Sequence, residues 1–425
     1  MVARHRYATP RVAVAALIWS LALGSSLSIA AEPGGIASDA IAAQQCAPVD
    51  GLVPERNPRR ERLAAGPQQA AETHVTLDRM IGQMILVGFP GSSRRDAGVI
   101  AVCEQLARGT VGGVLLFPEN IRSAANLRAL ATYLAGASKE LAPFIAVDQE
   151  GGLVQRLSRR NGHAYFPAAK KVAHDPKLNT PEGAFGLYKR MADGLAKGGI
   201  NLNFGPVVDL AVNPGNTVIV RRKRSYGADP KVVTALAGAF IAAHREANVI
   251  TAVKHFPGHG SSWSDSHKAL PDITKSWREA EIEPYVLLSR QGLLDMVMVG
   301  HLYHPRFSDG DEIPASLSER AVRALRTPGY IGFRGVIVSD DMEMGAVRGR
   351  MRFDDAIVKA VNAGVDLLVF SNVKGRDPKI GEKVHAAIAQ AVKDGRISPR
   401  TIEDAYQRIA LLKRRMMRRD LADTW

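Results

Sequence analysis

The chain has 425 residues, of which 46% are hydrophobic and 23% are charged. This ordinary globular composition excludes a disordered or fibrous protein, and the length allows one large core or two or three smaller domains. The net charge of +14 is compatible with nucleic acid, an acidic membrane surface or an anionic wall polymer as a partner.

Residues 1–30 have the organisation of a secretory signal peptide. Arg4, Arg6 and Arg11 precede an apolar run at 12–24, and small residues follow at 28–31. The run is shorter than the roughly 20 residues of a membrane span, which favours cleavage over a permanent anchor. We therefore expect a protein exported to the bacterial periplasm or secreted, without stable membrane insertion, and export argues against nucleic acid as a partner.

Residues 31–75 are rich in Ala, Pro, Gly, Gln and Arg and lack sustained periodicity, which predicts a flexible leader. The chain contains two cysteines, Cys46 in this leader and Cys103 in an apolar helical pattern. In an oxidising compartment the two could pair, but a buried free Cys103 fits the pattern equally well. Two cysteines this far apart define no metal site.

From residue 76 to residue 425, short apolar runs alternate with helical patterns. The runs predict eight strands, at 84–88, 112–117, 144–148, 201–204, 249–255, 296–301, 336–340 and 365–370. Helical patterns lie at 123–137, 183–198, 230–247, 276–291, 354–364, 379–394 and 399–419. Parallel strands need crossover connections of this kind, and eight of them favour one closed (β/α)₈ barrel of the TIM type over a doubly wound sheet. No glycine-rich dinucleotide fingerprint follows an early strand.

Ionisable residues stand where several of these strands end. Asp148 ends the third strand, Lys254 and His255 end the fifth, and His301 and Asp340 end the sixth and seventh. The carboxyl ends of barrel strands meet at one mouth, so these side chains are expected to form an active site there. Successive strand residues face opposite ways, so one of the two adjacent carboxylates at 340 and 341 should face the mouth while the other caps the next turn.

The polar loop after the fifth strand contains Asp265 and His267, two residues apart. That spacing allows the carboxylate to orient the imidazole for proton transfer. A metal site built from His255 and His259 with His301 and His304 is the weaker reading, because an i,i+4 histidine pair needs a helix and Pro257 and Gly258 lie between the first two histidines. No metal or cofactor is therefore expected.

The segment at 147–157 combines Asp148, paired glycines and Arg156. A carboxylate can accept from two hydroxyls and glycines allow close backbone approach, which suits a polyhydroxylated ligand. The alternative is a tight turn with a surface ion pair.

Seven segments, kept in order, give the sequence its resemblance to the β-N-acetylglucosaminidases of glycoside hydrolase family 3. They are VDQEGGLVQRL (147–157), INLNFGPVVDLA (200–211), RSYGADP (224–230), VKHFPGHG (253–260), DSH (265–267), VMVGHLYHP (297–305) and GVIVSDDMEMGA (335–346). The histidine loop followed by DSH is the specific part, because related β-glucosidases share the barrel and an aspartate nucleophile but lack that loop.

The resemblance implies a role for each matching residue. Asp340 matches the nucleophile, His267 the acid/base and Asp265 its dyad partner. The residues that match sugar-binding positions are Asp148, Arg156, Arg224, Lys254 and His255. The resemblance also implies a carbohydrate substrate containing N-acetylglucosamine, no metal or cofactor, and a monomer.

The implied reaction is retaining removal of terminal β-linked N-acetylglucosamine from peptidoglycan- or chitin-type fragments. Three alternatives remain: a β-glucosidase-like exo-hydrolase of the same fold, a non-catalytic sugar- or wall-binding barrel, and phosphorolysis in place of hydrolysis. Many relatives are cytoplasmic, unlike the export predicted here. The stretches at 221–224 and 261–264, the second containing Trp263, are individual to this chain and are placed to alter binding beyond the cleaved sugar. The basic run at 413–419 is expected to be a solvated helix end.

Overall fold

Short apolar runs make the barrel strands, and almost every residue in them is buried. The computed structural model describes residues 75–138 and 140–422, with side chains to 416. The strands are β1 (Ile85–Gly88), β2 (Gly113–Leu116), β3 (Phe144–Val147), β4 (Gln149–Gly151), β5 (Val154–Gln155), β6 (Leu202–Asn203), β7 (Ile250–Phe256), β8 (Met296–Val299), β9 (Val336–Asp341) and β10 (Leu367–Phe370). Strands buried on both faces are typical of parallel sheets covered by helices.

Eight of these strands pair in parallel and close in the order β1-β10-β9-β8-β7-β6-β3-β2. Closure is visible at β1, where Leu86 is in register with Gly113 of β2 and Ile85 with Leu368 of β10. The predicted (β/α)₈ barrel is confirmed. All eight predicted strands are present, although several are shorter than the apolar runs that predicted them.

Several of the helices that surround the barrel begin at residues whose side chains cap them. The helices are α1 (Leu77–Gln83), α2 (Ala97–Arg108), α3 (Ala124–Ala135), α4 (Ala169–His174), α5 (Pro181–Lys197), α6 (Pro230–Glu246), α7 (Glu283–Arg290), α8 (Glu319–Arg326), α9 (Gly345–Arg348), α10 (Phe353–Ala363), α11 (Ile380–Lys393) and α12 (Pro399–Ala422). Thr180 and Asp229 cap α5 and α6 through their side chains, each followed by proline. The single helix predicted over 276–291 is instead a 3₁₀ turn at Glu279–Ile282 leading into α7.

A small hairpin that the strand pattern did not predict follows β3. Its strands β4 and β5 pair antiparallel and turn through Gly151 and Gly152, whose φ angles are +101° and +62°. A Cβ on Gly151 would lie 2.4 Å from the carbonyl oxygen of Pro167, so this turn requires glycine there. The hairpin brings residues 148–156 over the barrel mouth.

The last helix, α12, closes the opposite end of the barrel. Lys413 is fully buried there, and its Nζ donates to Gln83 Oε1 and to the carbonyl oxygen of Gly112, each at 2.7 Å. The ammonium also lies 4.4 Å from the ring centroid of Phe144. The prediction of a solvated basic helix end is therefore wrong for Lys413, because the pattern of charges did not show which side of the helix faces the barrel.

The predicted signal peptide, nearly all of the leader and Cys46 lie outside the described residues. Cys103 is half-buried on α2. No helix within the described ranges combines the length and hydropathy of a membrane span.

Candidate active site

A cavity of about 410 Å³ opens among the carboxyl ends of the barrel strands. This volume lies within the range of roughly 300–1,000 Å³ typical of small-ligand sites. All the predicted catalytic and sugar-binding residues line it: Asp148, Arg156, Arg224, Lys254, His255, Asp265, His267 and Asp340. The barrel therefore brings together side chains that are spread over almost 200 positions of sequence.

A chain of alternating charges lies along one side of this cavity. The Asp148 carboxylate accepts hydrogen bonds from Lys254 Nζ at 2.8 Å and from an Arg156 guanidinium nitrogen at 3.0 Å. Lys254 Nζ also reaches Glu150 at 2.7 Å, and Arg224 donates two bonds of 2.8 Å to the Glu150 carboxylate. Two carboxylates and three cations thus hold one another in place, with further lone pairs and N–H groups available to a ligand.

This pairing keeps both carboxylates ionised despite their burial. Burial alone would raise the pKa of Asp148, but the charges of Lys254 and Arg156 outweigh it and hold the pKa well below its usual value. Burial would likewise raise the pKa of Glu150, but the charges of Arg224 and Lys254 outweigh it and lower that pKa to about 2. Fixed charges of this kind are suited to orienting the hydroxyl groups of a sugar.

His255 is held by Asp209, a buried carboxylate on the segment after β6. The Asp209 side chain accepts from His255 Nδ1 at 2.7 Å and from the backbone N–H groups of His255 and His259 at 3.1 and 2.7 Å. Because Nδ1 donates to the carboxylate, Nε2 is the ring nitrogen left for a ligand.

Asp340 and Asp341 take different roles at the end of β9. Asp341 Oδ1 accepts from the backbone N–H groups of Glu343 and Ser371 at 3.1 and 3.0 Å, so this side chain caps the turn as expected. Burial would raise the pKa of Asp340, but His301, His255 and the Asp341 N–H outweigh it and leave that pKa below its usual value. Asp340 is therefore an ionised carboxylate facing the cavity at neutral pH.

His301 supports this strand end from outside the cavity lining. Its Nε2 donates to the carbonyl oxygen of Asp341 at 2.9 Å, and its Nδ1 hydrogen-bonds the hydroxyl of Ser316. The prediction that His301 shares the mouth with the other strand-end residues is thus corrected. Its polar groups are used to hold the backbone beside Asp340.

Asp265 and His267 form the predicted hydrogen-bonded pair. Asp265 Oδ1 accepts from His267 Nδ1 at 2.8 Å and from the His267 backbone N–H at 3.0 Å. Burial would raise the pKa of Asp265, but these hydrogen bonds outweigh it and lower that pKa, so Asp265 remains a carboxylate. The His267 side chain is 67% exposed, so Nε2 can exchange protons with a group at the cavity entrance.

Two sets of contacts hold the loop that carries this pair. Within the loop, the buried His259 ring bonds Ser262 Oγ at 2.8 Å and Ser266 Oγ at 3.0 Å. Outside it, the N–H groups of Gly345 and Ala346, at the start of α9, donate to the carbonyl oxygens of His267 and Ser266, each at 3.2 Å. The dyad loop is therefore docked on the chain segment that follows Asp340.

Three site residues were missed from the sequence: Glu150, Asp209 and His259. Glu150 stands two positions after Asp148, on the same side of an extended chain, and this alternation could have identified it. Asp209 ends no predicted strand and reaches the site through a loop, so no periodic signal marks it. His259 was considered only as a metal ligand. No cluster of three or more potential metal-ligating residues occurs at residues 75–138 or 140–422.

The arrangement joins a polar sugar-sized cavity, an ionised carboxylate and a carboxylate-oriented imidazole. On a (β/α)₈ barrel, these features are those of a glycoside hydrolase. Residues 76–412 match the Glycosyl hydrolase family 3 N terminal domain. The chain belongs to glycosyl hydrolase family 3.

Known relatives agree with this assignment. The chain is 32% identical to beta-hexosaminidase LpqI of Mycobacterium tuberculosis over 343 residues, covering 78% of this chain and 81% of the relative. It is 30% identical to beta-hexosaminidase A of Pseudoalteromonas piscicida over 382 residues, covering 82% of this chain but only 62% of that protein. Among solved structures, the family 3 β-N-acetylglucosaminidase of Paenibacillus sp. str. FPU-7 superposes with a TM-score of 0.73 at 31% identity, over 81% of this chain and 63% of that one.

Proposed function

We propose that this protein is a retaining exo-β-N-acetylglucosaminidase that hydrolyses terminal β-linked N-acetylglucosamine from peptidoglycan- or chitin-type fragments. The observation that carries the proposal is that Asp340 and the Asp265–His267 pair line one cavity together with a chain of paired charges. The names of the relatives, β-hexosaminidase and β-N-acetylglucosaminidase, support the 2-acetamido sugar as the substrate class.

In the first step, an Asp340 carboxylate oxygen attacks the anomeric carbon. The bond from that carbon to the leaving oxygen breaks, and His267 Nε2 gives this oxygen its proton. Asp340 starts the reaction as an anion, and Asp265 stabilises the imidazolium that supplies the proton. The products of this step are the free leaving group and a covalent glycosyl-enzyme.

In the second step, His267 acts as a base toward water. Water loses a proton to Nε2 as its oxygen attacks the anomeric carbon, and the bond to Asp340 breaks. Two inversions give net retention of configuration. An imidazole can serve both steps because it can donate a proton and accept one back, and it places no second negative charge beside Asp340.

The charged side of the cavity would bind the terminal N-acetylglucosamine that the enzyme removes. Asp148, Arg156, Arg224, Lys254 and His255 would bind its hydroxyl groups, with Glu150 holding two of the cations in place. We further propose that the protein is exported and acts on wall-derived glycans outside the cytoplasm, because residues 1–30 have the pattern of a signal peptide.

The test compares 4-nitrophenyl β-N-acetylglucosaminide with the matching β-glucoside. We expect clear preference for the 2-acetamido sugar, initial release of the β-anomer by NMR, and a labelled Asp340 peptide after trapping with a 5-fluoro-N-acetylglucosaminyl fluoride. Asp340→Asn should bind sugar without turnover. Preference for the glucoside would favour the β-glucosidase alternative, binding without turnover by the unaltered protein would favour the binding barrel, and sugar 1-phosphate formed in phosphate buffer would indicate phosphorolysis.

A further inference from the structure

Two segments beside the cavity are rich in cations and contain no aspartate or glutamate. They are residues 151–174 and 210–228. One cation from each, Arg156 and Arg224, lines the cavity and pairs with a carboxylate there. The other lysines and arginines of the two segments are exposed to solvent. We call these seven the basic rim, and they are the pairs at 159–160 and 170–171 and the run at 221–223.

The side chains of the basic rim have no acidic partner. Within the ranges that the structure describes, none of them forms an ion pair or a side-chain hydrogen bond. The acids that flank the two segments are engaged elsewhere: Asp175 accepts from the backbone N–H of Lys177 at 3.0 Å, and Asp229 accepts from that of Lys231 at 2.8 Å. Seven unpaired charges of one sign produce a positive potential that attracts an anionic partner.

Backbone contacts join the basic rim into one surface. The N–H of Lys170 donates to the carbonyl oxygen of Lys223 at 3.1 Å, which places the start of α4 beside the run at 221–223. The N–H of Gly152 donates to the carbonyl oxygen of Phe166 at 2.9 Å, which places the tip of the β4–β5 hairpin beside the chain that leads into α4. The pair at 159–160 lies on the 3₁₀ turn between the hairpin and that chain.

The backbone of this surface is held in place by the residues beneath it. Before the run at 221–223, the carbonyl oxygen of Asn216 accepts from the N–H of Arg221 at 2.9 Å. After the run, Arg224 donates two bonds of 2.8 Å to Glu150. A partner that binds here therefore needs to order side chains but little backbone, which lowers the entropic cost of binding.

Two large apolar side chains are exposed among these cations. Leu153, at the tip of the hairpin, is 75% exposed. Tyr165 is 51% exposed, and the Arg159 guanidinium lies 5.6 Å from the centroid of its ring. Cations together with exposed leucine and tyrosine are typical of protein surfaces that bind at the interface between a bilayer and water.

We propose that the basic rim, with Leu153 and Tyr165, is a peripheral binding surface for a bilayer that contains anionic phospholipid. The cations pair with lipid phosphates, and the two apolar side chains enter the headgroup region. A soluble anionic polymer would satisfy the charges but would leave Leu153 and Tyr165 in water, so the bilayer fits the surface better. Because Leu153 also lines the cavity, the bound protein holds one edge of the cavity close to the bilayer.

The experiment measures sedimentation of the full chain with vesicles. Wild-type protein should bind vesicles of phosphatidylcholine with about 30% phosphatidylglycerol and should bind pure phosphatidylcholine vesicles at least tenfold more weakly. Salt at about 0.5 M should reduce the difference, because it screens exposed charges. The variants are compared in the same full chain, so any binding by the apolar run at 12–24 is common to all of them.

Two double variants remove charge from separate parts of the basic rim. They are Arg159→Gln with Arg160→Gln, and Lys170→Gln with Lys171→Gln. Each should lower the partition coefficient on anionic vesicles about tenfold or more, since one cation near such a surface contributes about fivefold. Each should unfold at the wild-type Tm, because these side chains have no ion pair to lose.

The matched control removes two exposed cations at the other end of the barrel. Lys197 and Arg290 are the last residues of α5 and α7, whose carboxyl ends precede the amino ends of barrel strands. Lys197→Gln with Arg290→Gln makes the same change in net charge and should bind anionic vesicles within about twofold of wild type. An equal loss in this control would show that net charge alone drives binding, which would overturn the inference.

Leu153→Ser distinguishes the bilayer from a soluble polymer. It should weaken binding to anionic vesicles several-fold, because it removes the apolar group that enters the headgroup region. It should leave binding to poly-L-glutamate unchanged. Normal vesicle binding by Leu153→Ser, combined with loss of poly-L-glutamate binding in the two double variants, would assign the surface to a soluble polyanion instead. Wild-type binding that does not depend on phosphatidylglycerol would also overturn the inference.

Discussion

His267 is the residue whose role is most directly testable by the choice of leaving group. His267→Ala should lower kcat/KM for chitobiose by about 10²–10⁴-fold, the usual contribution of general acid–base catalysis. The loss should be much smaller for 4-nitrophenyl N-acetylglucosaminide, because nitrophenolate departs without protonation. Steady-state kinetics on both substrates makes the measurement.

The matched control is His174→Ala, which removes an exposed histidine on α4 outside the cavity. It should leave both substrates unaffected. A His267→Ala protein that cleaved chitobiose at the normal rate would show that another group supplies the proton.

Glu281 is a buried carboxyl behind the dyad loop that takes no part in the proposed chemistry. It is 1% exposed, it lies against Gly258, and burial raises the pKa of Glu281 to about 8. A carboxyl whose pKa is raised on folding contributes stability that is fully present below pH 4.5 and is lost as the pH rises through about 8. Over that window the loss amounts to roughly 3–5 kcal/mol.

Glu281→Gln keeps the shape of the neutral carboxyl and removes its titration. Its free energy of unfolding should match wild type near pH 4.5 and exceed it by a few kcal/mol (roughly 2–4) near pH 8. Urea denaturation at both pH values provides the test, with the exposed Glu283→Gln as control. A gain that did not increase with pH would show that Glu281 is ionised in the folded protein.

At the scale of elements, the start of α9 fixes the dyad loop by close approach. A Cβ on Gly345 would lie 2.8 Å from the carbonyl oxygen of His267 and 2.6 Å from that of Lys268. Gly345→Ala should therefore push the loop away from Asp340 and lower kcat/KM about tenfold or more, since small displacements of catalytic groups are costly.

Gly186→Ala is the control for that substitution. Gly186 lies within α5, and a Cβ there would meet no atom within 4 Å, so alanine should leave activity unchanged and raise Tm slightly. Activity and thermal unfolding measured on both variants decide the matter. Full activity in Gly345→Ala would mean that the loop reaches its working position without this contact.

The elements that were predictable are those with a periodic signal. The apolar runs identified the eight barrel strands, and the ionisable residues after them identified the mouth. The β4–β5 hairpin was missed because its five strand residues are too few and too polar to show a strand pattern. Asp209 and Glu150 hydrogen-bond to partners that are 46 and 74 positions away in the sequence. Only the folded chain brings these partners within hydrogen-bonding distance.

On the scale of the whole molecule, catalysis and closure of the barrel occupy opposite ends. The mouth contains the groups proposed to react, and α12 covers the far end, where Lys413 contacts Gln83, Gly112 and Phe144. The helical pattern of α12 was predictable from the sequence. The burial of one of its lysines was not, because the acceptors that satisfy the ammonium come from the end of α1 and from the residue before β2, at least 301 residues earlier.

This separation predicts a variant that affects stability alone. Lys413→Ala should lower the free energy of unfolding by about 2–4 kcal/mol, since it leaves a cavity and removes the donor to the partly buried Gln83 side-chain oxygen and to the buried Gly112 carbonyl oxygen. Leu411→Ala on the same helix, where the side chain is 73% exposed, should change it by less than about 0.5 kcal/mol. At temperatures well below the unfolding transition, both variants should keep wild-type kcat/KM for 4-nitrophenyl N-acetylglucosaminide. A loss of activity in folded Lys413→Ala, without such a loss in Leu411→Ala, would mean that packing around Lys413 affects the positions of the residues at the mouth.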